Sequence, residues 1–247
     1  MSTYYVGIDL HTRTSQMCII DADGKKVAEE NLPNDLSLIL DFLVPYGPHL
    51  PIAIESTINW YWLVDGLQDA SYDVHLAHTL GLYMITGAKV KSDRRDAFRL
   101  AKYLRLDELP EAYIYPQEKR PLRDFLRRRI GLVEARAGCY TSLRVQLMRY
   151  NLNTMSLHDL KQLEPADIDG LPVPGELKDY GTMLLERIDL LSGHIAYMDE
   201  YLQAVTVEDP TFQDLLTLPG VRYTLGLTIY YEVDTINRFD TARHFAS

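Results

Sequence analysis

Four carboxylates carry the chemistry that this sequence suggests: Asp9, Glu55, Asp93 and Asp96. Asp9 closes the β-forming run YYVGIDL, and Glu55 closes the short apolar run LPIAIE. In a strand, residues two apart share a face. Asp9 therefore shares its face with Gly7, and Glu55 shares its own with Ala53. Both neighbours are small and leave room beside the acid. The other two acids open a helix that Ser92 can cap. At 100° per residue, Ala97, Leu100, Ala101 and Leu104 form one apolar stripe, with Asp93 and Asp96 at its N-terminal edge. Taken singly, an acid at a strand end is a common turn or cap residue. An Asp in a first helical turn complements the helix dipole, which explains Asp93 more readily than Asp96. If the helix packs on the sheet, the four acids converge, and their repulsion calls for cations. Mg²⁺, with Mn²⁺ as a substitute, takes hard oxygen ligands, and a pair of such ions clamps the attacking and leaving oxygens of a phosphodiester. No His or Cys set has zinc spacing. His75 and His78 stand three apart at a strand end, where a core or surface role is the plainer reading.

The elements that must position these acids follow from pattern. Strands are expected at Tyr4–Leu10, Ser15–Asp21 and Lys25–Leu32, the last two joined by the Asp23-Gly24 turn. A helix over Asp35–Val44, a strand over Leu50–Glu55, an aromatic-rich helix over Asn59–Asp69, a strand over Tyr72–Ala77 and the helix from Asp93 to about Arg105 complete the series. Three antiparallel strands, then helix, strand, helix, strand, helix, describe a mixed sheet covered by helices. That α/β order matches the ribonuclease-H-like arrangement.

Charge separates the chain into parts. The net charge is −10, which by itself argues against a nucleic-acid partner. Between Lys89 and Arg149, however, 16 Lys and Arg stand against 8 Asp and Glu, while the remainder carries 9 against 27. A basic middle between acidic flanks is the asymmetry of one surface that meets a polyanion; solvated helix faces are the plain alternative. Lys89, Lys91, Arg94, Arg95, Arg99 and Lys102 are the cations nearest the acids, and the spacing turns Arg94, Arg95, Arg99, Lys102 and Arg105 away from them. No apolar run approaches the ~18 residues of a membrane span. Two cysteines without metal or redox spacing suit a reducing cytoplasm.

At this point the segments YYVGIDLHTRTSQMCIIDADGKKV, IAIESTINWYW and KVKSDRRDAFRLAKYL resemble the DEDD transposases of bacterial insertion sequences, of the insertion sequence 110 type, whose relatives include Piv-like DNA invertases. The acids carry over in order onto Asp9, Glu55, Asp93 and Asp96. The segment LLTLPGVRYTLGLTIYYEVDTINRFDTARHFAS resembles the opening of that family's C-terminal domain. The resemblance implies a DNA recombinase that uses Mg²⁺ together with a C-terminal serine nucleophile, that acts as a multimer and that, in some members, is guided by a structured RNA. The family's serine lies beyond the matched end of this chain, and Ser247 is not in its context, so a truncated C-terminal domain is expected.

Downstream, Leu122, Leu126, Arg129, Val133, Arg136, Tyr140, Leu143, Leu147 and Tyr150 recur in steps of four and three. So do Leu177, Gly181, Leu184, Ile188, Leu191, Ile195, Met198, Leu202 and Val205. Such heptad seams predict two long helices in an antiparallel coiled-coil hairpin, joined by a loop containing Pro165, Gly170, Pro172, Pro174 and Gly175. Arg129 and Arg136 within the first seam leave two readings open: the seams pair only with each other, or another chain or an acidic partner enters there. A hairpin that also dimerises is expected. Arg127 and Arg128 near the helix start are candidate phosphate contacts. Phe212–Leu218, Pro219-Gly220-Val221 and Tyr223–Val233 read as helix, tight turn, helix; such units use loop amides to bind phosphate, and Arg222 stands where a second glycine is usual. The division expected is 1–110 for the catalytic domain, 111–206 for the helical hairpin and 207–247 for the start of the C-terminal domain. Competing functions are a non-catalytic nucleic-acid-binding fragment, a junction-resolving nuclease, and an actin-like or sugar-kinase ATPase. The last needs a second Gly-rich phosphate loop, which the sequence does not contain.

Overall fold

A computed structural model describes residues 4–86, 93–152 and 155–246, with the side chains of residues 83–86, 93 and 246 outside that description. It has two compact units, Met1–Gln117 and Glu118–Ser247.

The first unit is a mixed five-stranded sheet. Strands β1 (Tyr4–Leu10), β2 (Thr14–Asp21) and β3 (Lys26–Pro33) are antiparallel, and β4 (Pro51–Glu55) and β5 (Asp73–Ala77) run parallel to β1, in the spatial order β3-β2-β1-β4-β5. Such an order is consistent with a ribonuclease-H-like sheet. At the β2–β3 turn, Asp21 Oδ1 accepts from the amides of Asp23 and Lys25, and Gly24 takes a φ of +83°. A left-handed residue there is what glycine supplies at no steric cost.

Alternation along the strands gives the sheet two different faces. Val6, Ile8, Leu10, Met17, Ile19, Ile52, Ile54 and Leu76 point to one side. They bury against helices α1 (Leu36–Leu43) and α2 (Tyr61–Asp69), through Ile39, Leu43, Leu63, Val64 and Leu67. Asp35 caps α1 by accepting from the Ser37 and Leu38 amides. An added helix, α3 (Thr79–Thr86), follows β5; its weak amphipathic pattern left no signal in the sequence.

The opposite face is covered by α4 (Asp93–Arg105). Gly7, Cys18, Ile20, Ala53 and Ala77 meet Ala97, Leu100 and Ala101 there. The approach is closest at Gly7, where a Cβ would fall 2.0 Å from the Ala97 carbonyl oxygen and 2.6 Å from the Ala101 nitrogen. Both are main-chain atoms and cannot swing aside. At the far end of α4, Arg105 donates to the Ala22 carbonyl at 3.1 Å and lies against Gly24. That turn adjoins the start of β1, because Asp21 pairs with Tyr4. Helix α4 therefore runs opposite to β1, and its first turn lies at the strand end that carries Asp9.

The second unit is helical. Helices α5 (Arg120–Arg149) and α8 (Gly175–Thr206) pack together, with α6 (Leu157–Leu160) and α7 (Pro165–Asp169) between them. A bare loop was expected across residues 151–174, but capping boxes at Ser156/Asp159 and Glu164/Asp167 start two short helices there. Contacts between the long helices run in opposite senses: Arg129 with Asp199, Arg136 with Ser192, Ser142 with Tyr180. Cys139, Leu143 and Leu147 bury against Leu184, Leu185, Ile188 and Leu191. Helices α9 (Pro210–Leu216) and α10 (Tyr223–Val233) close over Leu126 and Leu202 through Phe212, Leu227 and Tyr231. A short helix, α11 (Ala242–Ala246), ends the chain. Among the described residues no helix is long and apolar enough to cross a membrane.

Both seam arginines have partners within the chain. Arg129 grips Asp199 in a two-pronged pair at 2.8 and 2.9 Å, and Arg136 donates to Ser192 Oγ at 3.0 Å. Arg129 is 13 % exposed and Asp199 36 %, so the pair is half screened. Asp199→Ala is expected to cost about 1–2 kcal/mol, because it strands a largely buried guanidinium. Adding Arg129→Met should restore part of that loss in urea unfolding; a double variant weaker than the single one would contradict the account. In the first unit, Gly7→Val should cost about 3 kcal/mol or more, since overpacking against main chain cannot relax through a rotamer. A melting temperature equal to wild type would mean that α4 does not rest there.

Candidate metal and nucleic-acid site

Each acid reaches its place through a different local rule. The parallel ladder pairs Val6 with Ile52, Gly7 with Ala53 and Ile8 with Ile54. Asp9 and Glu55 are the next residues on their strands, so they stand at the same height on neighbours separated by about 4.8 Å. Both belong to the face under α4. Asp9 is 5 % exposed; Glu55 is half-buried. Asp96 sits one residue before Ala97, half-buried in the first turn of α4. Asp93 opens that helix, and its side chain lies outside the described residues. The fold thus brings Asp9, Glu55 and the start of α4 to one end of the sheet.

The environment of the acids adds groups that pattern reading missed. His11 Nε2 stands 3.4 Å from Asp9 Oδ2. Gln16 lies directly across from Asp9 on β2, 5 % exposed, and its amide donates to the Glu30 carbonyl at 3.2 Å. The carbonyl of His11 accepts from both Asn34 and Asn59. His11 had a signal, since residues two apart on a strand share a face. The asparagines had none, because they come from two other loops.

Among the described residues, no three His, Cys, Asp or Glu side chains form a metal-binding cluster. Asp96 is instead paired with Arg99 at 3.1 Å. The donor chemistry nevertheless suits Mg²⁺: hard carboxylate oxygens, those of Asp9 almost fully buried. An ionised carboxylate at that depth requires compensating charge, since desolvation costs several kcal/mol per ion. His75, between Glu111 at 2.7 Å and Asp73 at 3.2 Å, belongs to a separate edge of the sheet. Burial opposes its charging, but the hydrogen bonds to Glu111 and Asp73 outweigh that and raise its pKa.

The cations divide into exposed and engaged groups. Arg94, Arg95 and Lys102 are exposed on α4. Arg99 and Arg105 were expected to face away from the acids with them, but Arg99 binds Asp96 and Arg105 turns to the Ala22 carbonyl. Arg99 reaches back along the helix, whereas Arg105 reaches across to the β2–β3 turn. Lys89 and Lys91 lie outside the described residues. Arg128 is exposed on α5. Arg127, with Arg123, grips Glu232 at 2.6 and 2.7 Å. Arg222 is exposed at the N-cap of α10, just after the turn in which Gly220 takes a φ of +84°.

The first unit is thus an α/β domain with a mixed sheet whose strand ends carry acids beneath a helix that presents arginines. The family model for transposases of the DEDD insertion sequence 110 type matches residues 6–152, more than half of the chain, and the chain belongs to that family. No curated protein matches it.

Burial raises the Glu232 pKa, but hydrogen bonds from Arg127 and Arg123 more than offset it, and the net direction is downward. A depressed folded pKa gives stability that is complete above the unfolded value, about 4.3, and that is lost as pH falls through the folded value. Glu232→Gln should therefore destabilise the chain at pH 7, and the difference from wild type should shrink in urea unfolding at pH 3. A constant difference across that range would refute the ion-pair origin.

Proposed function

We propose that the chain acts on DNA as a strand-exchange enzyme of a mobile element, with a ribonuclease-H-like domain whose Asp9, Glu55, Asp93 and Asp96 hold Mg²⁺. The observation that supports this most is the placement of a buried carboxylate, a second strand-end acid and the start of an acid-bearing helix at one end of the sheet. When bound, the metal supplies charge neutralisation for the acids and polarises phosphodiester oxygens. Asp9 and Glu55 provide ligands from rigid strands. The first turn of α4 would provide Asp93 and Asp96, and Arg99, paired with Asp96 at 3.1 Å, would be available to phosphate if Asp96 held the metal.

Exposed Arg94, Arg95, Lys102, Arg128 and Arg222 suit a nucleic-acid backbone, through charge and not through base recognition. A guide RNA would meet the same groups. For multimerisation, the outer face of α8 offers Met183, Leu190 and Tyr197, at 62, 59 and 63 % exposure and seven-residue spacing. Such a stripe suits a coiled-coil contact with a second copy.

Calorimetry with Mn²⁺ is the direct test. Wild type should bind it and Asp9→Asn should not; equal binding by both would end the metal reading and leave a non-catalytic nucleic-acid-binding protein. Cleavage of branched DNA by the chain alone would favour a junction-resolving nuclease. DNA and RNA affinities should fall with salt, and reversing Arg94 and Arg95 to Glu should reduce the slope of log K against log salt by roughly 1 per lost phosphate contact. An unchanged slope would remove α4 from the binding surface.

A further inference from the structure

We infer that Asn34 and Asn59 are positioning residues for the candidate metal site: by donating together to the His11 carbonyl, they set the spacing between Asp9 and Glu55. This rests on the metal-site reading above. The ladder between β1 and β4 stops at Ile8 and Ile54, one residue short of both acids. Strands twist relative to one another, so beyond the last ladder bond another tie must keep the two carboxylates at a fixed separation.

Such a tie lies just past the acids. His11 begins the β1–β2 turn, closed by its amide donating to the Thr14 carbonyl at 2.9 Å. Its own carbonyl accepts from Asn34 Nδ2 at 2.9 Å and from Asn59 Nδ2 at 3.0 Å. Asn34 comes from the β3–α1 connection and Asn59 from the β4–α2 connection, so three loops meet at one oxygen. Both amides are oriented from behind: Ser15 Oγ donates to Asn34 Oδ1 at 2.8 Å, and Thr57 Oγ1 donates to Asn59 Oδ1 at 3.1 Å. With each oxygen receiving a hydroxyl, each amide nitrogen is turned to His11. The segment from Glu55 to Asn59 is itself held, by Thr57 N to the Glu55 carbonyl at 2.8 Å and Ser56 N to the Ala77 carbonyl at 3.0 Å. From Asp9 the path to the clamp is two residues, and from Glu55 it is four. The clamp thus acts on both ligands through short, stiff backbone.

The full-length chain with Mn²⁺ as probe tests this by calorimetry, with thermal melting alongside. Asn59→Ala and Asn34→Ala should each bind Mn²⁺ at least about 10-fold more weakly, the usual effect of losing a group that orients metal ligands. Both should remain folded at the assay temperature. Thr57→Val, which keeps the amide but releases its orientation, should weaken binding less and broaden the Mn²⁺ resonance spectrum relative to wild type. Should Asn59→Ala melt too low, Asn34→Ala and Thr57→Val carry the same test. Wild type that binds no Mn²⁺, or an Asp9→Asn variant that binds as wild type does, overturns the metal site and this role with it. Binding abolished by Asp9→Asn yet unchanged in Asn34→Ala, Asn59→Ala and Thr57→Val overturns the positioning role alone.

Discussion

Helix α4 can lie on the sheet because β1 has no side chain at Gly7. The bare backbone there admits the Ala97 carbonyl and the Ala101 nitrogen to distances that any Cβ would forbid. Ala53 and Ala77 continue the shallow surface across β4 and β5 under Leu100. A helix this close to the strands carries its first turn down to the level of the strand ends. Asp9 and Glu55, at the ends of β1 and β4, and the first turn of α4 come to one end of the sheet through that approach, although the described acids form no metal-binding cluster there. Packing of small residues thus sets where the acid-bearing start of α4 lies, and the apolar core on the other face supplies the rigidity against which it is held.

The helical unit handles charge in the opposite way. Arg129 and Arg136 occupy positions in a seam otherwise made of Leu, Val and Tyr, yet each finds a partner on α8. Arg123 and Arg127 are drawn to Glu232, and Lys119 to Asp234. These contacts lock α10 and α8 on α5, and they remove several cations from the basic stretch available to a polyanion. The exposed and unengaged remainder of that stretch, Arg94, Arg95 and Lys102 on α4 with Arg128, Arg144 and Arg149 on α5, is smaller than the raw count of charges implied.

Strand and helix periodicity sufficed to place the five strands, the helix that opens at Asp93 and the two long helices, because alternation and heptad spacing are properties of consecutive residues. The positions of Asp9, Glu55, Asp93 and Asp96 at element ends were legible for the same reason. What the chain alone did not disclose is the local turn of Arg99 onto Asp96 and, across long separations, who pairs with whom: Arg127 with Glu232, Arg129 with Asp199, and Asn34 and Asn59 on one carbonyl. Long side chains choose among several reachable partners, and that choice depends on neighbours brought in from 23 to 105 residues away. Helix α3 and the short helices α6 and α7 were missed because local capping and packing, not periodicity, sustain them. Sequence determined which elements form and which residues end them; tertiary structure decided which charges are spent inside the protein and which are left to meet a ligand.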